Sequence, residues 1–395
     1  MAWEIIPCIS HYILLVSVWV RVEYMSRNHR KDYVLLNPGP VLISPKVQKA
    51  LIRQPLCHRD SDFSHLFSSV KQKLLKVFRA PRSHSIIMIS GSGTAAMEMA
   101  LSSAIPANKK ILVLSNGCFG ERFVEIAKCH HIETVQLRVA WGAPLMLPEL
   151  EDRLGNDPDI FAVAMVHHET SVGLLNPVNQ IGAIVKKFQR LFIVDCIASL
   201  GAEEVNVAAD NIDICVATGN KCLHSIAGLS FLCVNDRVWP LIKDVAPRSY
   251  YLDLKKYQSY ARDLEQTPYT PPVNLIMALD EALNELLGRG LEARARQYRE
   301  YSGWLRDKLS GLGLEIVNNH GAESHTITCL RLPKGISYET LYEALKQEGF
   351  IIYGGKEDLT GKIFQVSNMG ELSPAMLKKF AATLKKILQL QQKNA

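Results

Sequence analysis

The nine cysteines of this 395-residue chain form no CxxC pair and no cluster with histidine at metal-ligand spacing. A disulfide framework and a zinc site both depend on such spacing, so neither is expected. Isolated thiols are typical of proteins in a reducing compartment, and we expect a cytoplasmic protein. Aromatic residues are also few, at 8%, whereas 48% of the residues are hydrophobic. This much aliphatic material is enough for one large domain and one smaller one.

Concentrated positive charge is absent as well. The formal net charge is +6, and no window collects five or more lysines and arginines with interleaved aromatic residues. A nucleic-acid surface normally requires such a patch. We therefore expect a small molecule, and not a nucleic acid, as the partner of this protein.

The hydrophobic N-terminal run is too short for a membrane span. Ile5–Val20 has 16 residues and includes Pro7 and His11, whereas a spanning helix needs about 20 apolar residues. No basic residue precedes the run and no small-x-small cleavage site follows it, unlike in a signal peptide. We interpret residues 1–32 as an extension outside the folded domains, with Met25 near the start of the folded chain. A membrane anchor is the alternative.

Short aliphatic runs alternate with segments of helical periodicity, and no long sequence unit repeats. Each run is rich in Ile and Val and apolar at successive positions, which is typical of strands buried on both faces. Alternating strands and helices predict an α/β fold with a doubly wound, mostly parallel sheet. The predicted strands are SIIMIS (85–90), KILVLS (110–115), FAVAMVH (161–167), LFIVDCIAS (191–199) and DICVATG (213–219).

The pattern changes after about residue 275. A long helical tract interrupted at GRG (288–290) is followed by a strand, a helix, two further strands and a final helix. We interpret residues 33–275 as a large domain and residues 276–395 as a smaller α+β domain that caps it.

Three features lie at predicted strand ends, where parallel sheets bind ligands. The turn SGSGT (90–94) precedes a helix whose first N–H groups suit a phosphate. Asp195 ends an aliphatic strand, where a buried anion needs a cation or hydrogen-bond donors. Lys221 follows the next strand. Taken singly, they could be a plain loop, a strand-end cap and a solvated charge. Together they match the phosphate, ring nitrogen and aldehyde of pyridoxal phosphate.

Ten motifs in a fixed order carry a resemblance to a known family. They are LLNPGPVLISPKV (35–47), CHRDSDF (57–63), SGSGTAAMEMAL (90–101), SNGCFGERFVEIA (115–127), HHETSVGLLNPV (167–178), IVDCIASLGAEEV (193–205), ATGNKCLHSIAG (217–228), RSYYLDL (248–254), TPYTPP (267–272) and IFQVSNMG (363–370). With these motifs the chain resembles the class V aminotransferases, which are fold type I enzymes that use pyridoxal phosphate. It resembles the 2-aminoethylphosphonate:pyruvate transaminases more than the alanine–glyoxylate transaminases.

The resemblance implies a role for each matching position. Lys221 would form the Schiff base with pyridoxal phosphate, and Asp195 would face the ring nitrogen. Phe119 would stack on the ring, and Thr170 would hydrogen-bond near the ring hydroxyl. The other implied contacts are a phosphate cradle of Ser92, Gly93 and Thr94, Asn220 beside the lysine, and Thr270, which would reach the phosphate of the neighbouring subunit in a homodimer with shared active sites.

One position departs from the family pattern. Relatives carry an arginine that grips the substrate carboxylate where this sequence has Gln365. Glutamine has hydrogen-bond donors but no charge and no bidentate fork. Losing a charge-assisted pair of this kind commonly costs about 2–5 kcal/mol. Alanine and pyruvate should therefore bind weakly unless another cation compensates, and Arg248 and Arg331 are the candidates.

Three functions are compatible with this departure. The first is transamination of a small aminophosphonate, such as 2-aminoethylphosphonate, with a keto-acid acceptor; alanine or serine–glyoxylate aminotransfer is a variant of it. The second is elimination from an amine that lacks an α-carboxylate, because a lyase needs no keto acid. The third is a non-catalytic protein of the same fold, against which the intact Lys221 and Asp195 argue.

Overall fold

A mixed sheet forms the centre of the large domain. The computed structural model describes residues 32–317 and 321–394. In chain order its strands are β1 (Val34–Leu35), β2 (His84–Ser90), β3 (Lys110–Ser115), β4 (Glu133–Arg138), β5 (Ile160–Val166), β6 (His168–Glu169), β7 (Leu174–Leu175), β8 (Leu191–Asp195), β9 (Ile214–Thr218), β10 (Leu229–Asn235), β11 (Ile327–Arg331), β12 (Phe350–Ile351), β13 (Tyr353–Gly354) and β14 (Ile363–Ser367). Seven of them form the order β2-β10-β9-β8-β5-β3-β4.

Only β10 departs from the parallel arrangement of this sheet. It runs antiparallel to both β2 and β9, whereas the other neighbouring pairs are parallel. The five predicted strands correspond to β2, β3, β5, β8 and β9, while β4 and β10 were not predicted. Every residue of β8 and β9 is buried, so both faces of the sheet are covered. The predicted α/β fold is confirmed.

Helices connect and cover the strands, and polar side chains cap several of their N termini. Ser44, Asp253 and Ser337 each accept a hydrogen bond from a backbone N–H of the following turn, which satisfies donors that the helix itself leaves unpaired. The α-helices are α1 (Pro45–Leu51), α2 (Ser61–Val77), α3 (Gly93–Ala104), α4 (Cys118–Cys129), α5 (Leu147–Asn156), α6 (Val178–Lys187), α7 (Val238–Ile242), α8 (Leu254–Asp263), α9 (Val273–Arg289), α10 (Leu291–Ser310), α11 (Tyr338–Gln347) and α12 (Pro374–Asn394).

The C-terminal part has its own sheet and its own core. Strands β11, β14 and β13 form an antiparallel sheet, which packs with α10, α11 and α12 around a separate hydrophobic cluster. A short 3₁₀ turn, Glu357–Leu359, lies between β13 and β14. The order of strands and helices predicted for this smaller α+β unit agrees with the structure, and its helical tract is interrupted at Gly290.

The predicted boundary between the two domains, at residue 275, falls inside a helix. Helix α9 crosses that position, and its Ile276, Leu283 and Leu286 pack in the core of the large domain. The change of core falls near Gly290, where the chain leaves α9. At the other end of the chain, β1 pairs in parallel with β12, and Leu36 packs in the small-domain core.

The described residues, 32–317 and 321–394, contain no helix that is both long enough and apolar enough to cross a bilayer. The predicted N-terminal extension and its alternative as a membrane anchor fall, except for Asp32, outside these residues.

Candidate active site

A cavity of about 310 Å³ lies at the carboxyl ends of β8 and β9. The parallel strands of the central sheet end at this edge, so loops that are distant in sequence meet there. Five separate segments of the chain supply the predicted side chains. The predicted site residues that line the cavity are Ser92, Gly93, Thr94, Phe119, Thr170, Asp195, Asn220 and Lys221.

The N terminus of α3 forms one wall of the cavity. Ser92 is the extended N-cap residue and makes no side-chain capping hydrogen bond. The first N–H groups of α3 therefore remain available for an anion. Gly93 packs so closely against Ile197 that a Cβ atom at position 93 would lie 2.3 Å from Ile197 Cδ1. This wall can hold a phosphate, and any side chain at position 93 would have to displace the Ile197 side chain.

The carboxyl group of Asp195 is buried at the end of β8. Its Oδ1 accepts a hydrogen bond of 2.7 Å from the N–H of Ile197, and no cation pairs with it in the described part of the chain. Burial raises the pKa of Asp195 to about 7, although the Ile197 hydrogen bond opposes the shift. A protonated ring nitrogen would supply the missing cation. The buried carboxyl thus fits pyridoxal phosphate.

Lys221 lies in the turn after β9, close to an N-terminal loop. Its Nζ donates a hydrogen bond to the carbonyl of Pro38, and a Cβ atom at Gly39 would lie 2.7 Å from Lys221 Cδ. Burial, together with the positive charges of Lys356 and Arg122, lowers the pKa of Lys221 to about 8. A lysine with this pKa is partly neutral near pH 7, so it can act as a nucleophile.

The lowered pKa predicts the pH dependence of Lys221 acylation. Because only the neutral amine reacts, we expect acetic anhydride to label Lys221 of the cofactor-free enzyme with a midpoint near pH 8, below the value of about 10.4 for an ordinary lysine. Pulse labelling followed by peptide mass spectrometry measures this midpoint. A midpoint that coincides with that of the exposed lysines would contradict the effect of burial.

A buried carboxylate holds Phe119 in place at the start of α4. Glu169 Oε2 accepts hydrogen bonds from the N–H groups of Phe119 (3.1 Å) and Gly120 (3.0 Å), and Oε1 accepts one from the Ser171 hydroxyl (2.5 Å). Glu169 thus caps α4 and ties it to the segment that carries Thr170. Sequence reasoning missed this residue. The signal was available, since Glu169 is an acidic residue close to the carboxyl end of an aliphatic strand, as Asp195 is.

His168 is a second residue that sequence reasoning missed. It lines the cavity, its Nδ1 lies 3.2 Å from the carbonyl oxygen of Ala198, and its buried Nε2 has no hydrogen-bond partner. Burial lowers the pKa of His168 to about 4, so the ring is neutral. The free Nε2 can accept a hydrogen bond from a bound molecule. Other lining residues without a predicted role are Arg122, Ile197, Ala198, Thr218, Ala227 and Gly228.

Comparison with known proteins assigns the family. The family model described as aminotransferase class-V matches residues 47–369, more than half of the chain. The chain is a class-V aminotransferase. It is 32% identical to the 2-aminoethylphosphonate–pyruvate transaminase of Lysinibacillus sphaericus, over 86% of this chain and 93% of that protein. It is 38% identical to an uncharacterized aminotransferase of Methanocaldococcus jannaschii, over 85% and 88% of the two chains.

A solved structure of the same family has a matching fold. The pyridoxamine–pyruvate aminotransferase of Mesorhizobium loti matches with a TM-score of 0.87 at 26% identity, over 92% of this chain and 94% of that one. The predicted family and fold are therefore confirmed, and the protein is an enzyme of a family that generally depends on pyridoxal phosphate.

In this class-V aminotransferase, Gln365 lies beside the cavity but does not line it. The residue is buried in β14, and its Nε2 donates to the carbonyl oxygens of Thr170 (2.7 Å) and Ser171 (3.1 Å). The Sγ atom of Cys329 lies 3.1 Å from the same nitrogen. These contacts direct the amide nitrogen of Gln365 to the backbone and to Cys329. The amide thus fixes the loop that presents Thr170.

The Gln365→Glu variant tests this structural role. A carboxylate would face two carbonyl oxygens without a donor for either, so we expect the free energy of unfolding to fall by about 2–4 kcal/mol. Urea denaturation at pH 8 measures the change. The matched control is Gln180→Glu, because Gln180 is exposed and its replacement should change stability by no more than about 0.5 kcal/mol. Equal stability of both variants would contradict the role.

The two arginines predicted to compensate for Gln365 do not line the cavity. Arg248 Nη1 donates to the carbonyl oxygens of Ser102 and Ile105. These atoms lie at the C-terminal end of α3, roughly 15 Å of helix from its N terminus. Arg331 forms a 2.7 Å ion pair with Glu315 on the surface. Within one chain, therefore, carbonyl oxygens at the end of α3 engage Arg248, and a surface ion pair engages Arg331.

The residue predicted to reach the partner subunit lies outside this cavity. Thr270 is exposed and does not line the cavity of its own chain. Among the residues that the structure describes, no group of histidine, cysteine and carboxylate side chains is arranged to hold a metal ion.

Proposed function

We propose that this class-V aminotransferase binds pyridoxal phosphate through Lys221 and transfers the amino group of a small aminophosphonate, such as 2-aminoethylphosphonate, to a keto acid. One observation carries the proposal: the buried Asp195 carboxyl, which has no cation partner in the described chain, lines the same cavity as the partly neutral Lys221 amine. The similarity to 2-aminoethylphosphonate–pyruvate transaminases supports the substrate class.

The cavity offers a contact for each part of the cofactor. The N terminus of α3, with Gly93 and the hydroxyl groups of Ser92 and Thr94, would hold the phosphate. Asp195 would pair with the ring nitrogen, and the Phe119 ring would cover one face. The positions of these residues around one cavity support the proposed contacts.

Three further residues complete the proposed binding. Thr170 would contact the ring hydroxyl, and Asn220, whose Oδ1 accepts a 2.8 Å hydrogen bond from the Thr218 hydroxyl, would lie beside the lysine. Thr270 would reach the phosphate in the partner subunit of a homodimer. Its exposure on its own chain is compatible with this contact.

The proposed chemistry divides between the cofactor and the protein. Bound pyridoxal phosphate supplies an electron sink for the carbon that carries the amino group. Asp195, as an anion, keeps positive charge on the ring nitrogen. Within the first half-reaction, Lys221 would accept the proton that leaves the substrate carbon and pass it to the cofactor carbon that carries the nitrogen. In the second half-reaction it would move a proton in the reverse direction, onto the carbon of the keto acid. Its pKa of about 8 suits this exchange, because a catalytic base works best near the ambient pH.

A substrate assay tests the proposed function. Enzyme loaded with pyridoxal phosphate is incubated with 2-aminoethylphosphonate, with and without pyruvate. We expect phosphonoacetaldehyde and alanine to accumulate in equal amounts over many turnovers only when pyruvate is present. Failure to form aldehyde beyond one equivalent per site, with pyruvate, glyoxylate or another keto acid, would reject transamination of this amine.

Elimination is the second candidate, and the uncharged Gln365 favours it. The family arginine that grips a carboxylate is absent at this position, and a lyase requires no keto acid. The same assay distinguishes the two reactions, because elimination releases ammonia continuously without any acceptor.

A further inference from the structure

Two cationic side chains lie close to the ring of Phe119, a residue that lines the cavity. The Lys356 Nζ atom lies 4.6 Å from the ring centroid, and the Arg122 guanidinium carbon lies 4.5 Å from it. Lys356 belongs to the small domain, in the loop after β13, whereas Arg122 belongs to α4 of the large domain and lines the cavity. Both domains therefore place positive charge next to the same aromatic ring.

Neither cation is neutralised within the described chain. The carboxylates adjacent to them in sequence are engaged elsewhere: Glu121 pairs with an arginine at the end of β4, and Glu357 accepts a 3.4 Å hydrogen bond from a thiol of α4. Arg122 makes only a 3.3 Å hydrogen bond to the Thr94 hydroxyl, in addition to its ring contact. Half-buried cations without a counterion indicate a site for an anion.

The loop that carries Lys356 is held in a defined position. Gly355 packs so tightly that a Cβ atom there would lie 2.1 Å from the carbonyl oxygen of Leu359. The hydrogen bond between Cys118 and Glu357 joins the loop to the first turn of α4, next to Phe119. Contacts on both sides of Lys356 in the sequence thus hold it beside Phe119, although Lys356 itself is not one of the residues that line the cavity.

The anion site must be separate from the position of the family arginine. Gln365 points its amide nitrogen at two backbone carbonyls, and Arg248 and Arg331 are engaged away from the cavity. Lys356 lies near the cavity, and within residues 32–317 and 321–394 its ammonium makes no hydrogen bond or ion pair. By contrast, Arg122 and Lys221 each make a hydrogen bond.

We propose that Lys356 is a specificity-determining residue that binds the acidic group of the substrate amine, while Arg122 adds positive potential near the same ring. The proposal rests on the proposed function, since it assumes a substrate with a phosphonate or similar anionic end. The ammonium of Lys356 donates hydrogen bonds to the anionic oxygens, and the amino group of the substrate then points towards Lys221. An amine that has no acidic group gains nothing from this contact.

Binding of ethylphosphonate tests the site without any covalent step, because this molecule has the anionic end but no amine. Calorimetric titration of the enzyme loaded with pyridoxal phosphate should show binding that Lys356→Gln weakens by about 10- to 100-fold, the range of one charge-assisted hydrogen bond. Lys356→Arg, which keeps the charge, should stay within about threefold of the parent enzyme. Lys362→Gln is the matched control, because Lys362 is an exposed lysine of the same domain.

Steady-state kinetics supply the second measurement. With 2-aminoethylphosphonate, Lys356→Gln should raise KM about 10- to 100-fold with little change in kcat, because binding of the acidic end is the same before and during the reaction. With propylamine, which has no acidic group, the rate of amine-dependent bleaching of the cofactor absorbance should not change. Thermal melting and the cofactor absorbance of the variant control for folding and loading.

The outcomes separate this proposal from the proposed function. Unchanged ethylphosphonate binding and unchanged KM in Lys356→Gln would overturn the role of Lys356, even if the parent enzyme transaminates 2-aminoethylphosphonate. Lysine-dependent binding of ethylphosphonate by an enzyme that does not turn over 2-aminoethylphosphonate would reject the proposed substrate and retain the anion site. An equal loss with propylamine would show a general positioning effect and would also overturn the proposal.

Discussion

Lys221→Ala should lower kcat by about 10³-fold or more, because the variant loses both the covalent anchor and the base that moves the proton. The enzyme loaded with pyridoxal phosphate should also lose the visible absorbance that a lysine-bound cofactor gives. The fold should persist, since the side chain projects into a cavity and its one hydrogen bond is to the carbonyl of Pro38. Stopped-flow spectra and single-turnover rates measure both effects.

Two controls make the Lys221 result specific. Lys221→Arg keeps the positive charge but supplies no nucleophile or base near pH 8, because arginine stays protonated, so it should be as inactive as the alanine variant. Methylamine added to Lys221→Ala should restore part of the rate by providing a free amine in the vacated space. An alanine variant that retained both the absorbance and the parental rate would remove Lys221 from the mechanism.

Asp195→Asn should lower kcat by about 10²–10³-fold, as expected when one preorganised electrostatic contact is lost. The amide can still accept the hydrogen bond from the N–H of Ile197, so the local geometry should be retained. What disappears is the negative charge that keeps the ring nitrogen protonated. Single-turnover kinetics with 2-aminoethylphosphonate test the expectation. The matched control is Asp159→Asn, which removes a surface partner of Lys109 and should leave kcat unchanged.

In the cofactor-free enzyme, Asp195→Asn should raise the stability of the fold even though it lowers kcat. Burial raises the folded-state pKa of Asp195 from 3.8 to about 7, so between these values the folded state binds more protons than the unfolded state. The contribution of Asp195 to stability therefore falls as the pH rises through this range. We expect cofactor-free Asp195→Asn to melt at a higher temperature than the parent enzyme at pH 8. The difference should shrink towards pH 4. A lower melting temperature at pH 8 would contradict the burial argument.

The elements that carry the site were readable from local sequence patterns. Runs such as KILVLS and FAVAMVH have the composition of strands buried on both faces, and the structure has β3 and β5 there. Asp195 and Lys221 were notable because a charge directly after such a run is placed at a sheet edge by the chain itself. Their meeting in one cavity follows from parallel strand order.

Contacts between distant segments could not be read in this way. Glu169 caps α4 across a gap of 50 residues in the sequence, and no local pattern records which helix a buried carboxylate will reach. Arg248 was a plausible substrate cation until the fold placed it at the far end of α3. The same limit applied to β1, a short segment that joins the small domain through its pairing with β12.

By itself, the sequence determined the α/β class, the aliphatic strands and the chemistry-bearing residues at their ends, because those depend on composition and periodicity over a few positions. Only the tertiary structure decided that Gln365 fixes a loop instead of facing the cavity, and that Lys356 comes within 4.6 Å of the Phe119 ring centre across 237 residues of chain. The physical reason is that charge and hydrogen-bond partners act through space. Their distances are set by packing of the two domains and by no single stretch of sequence.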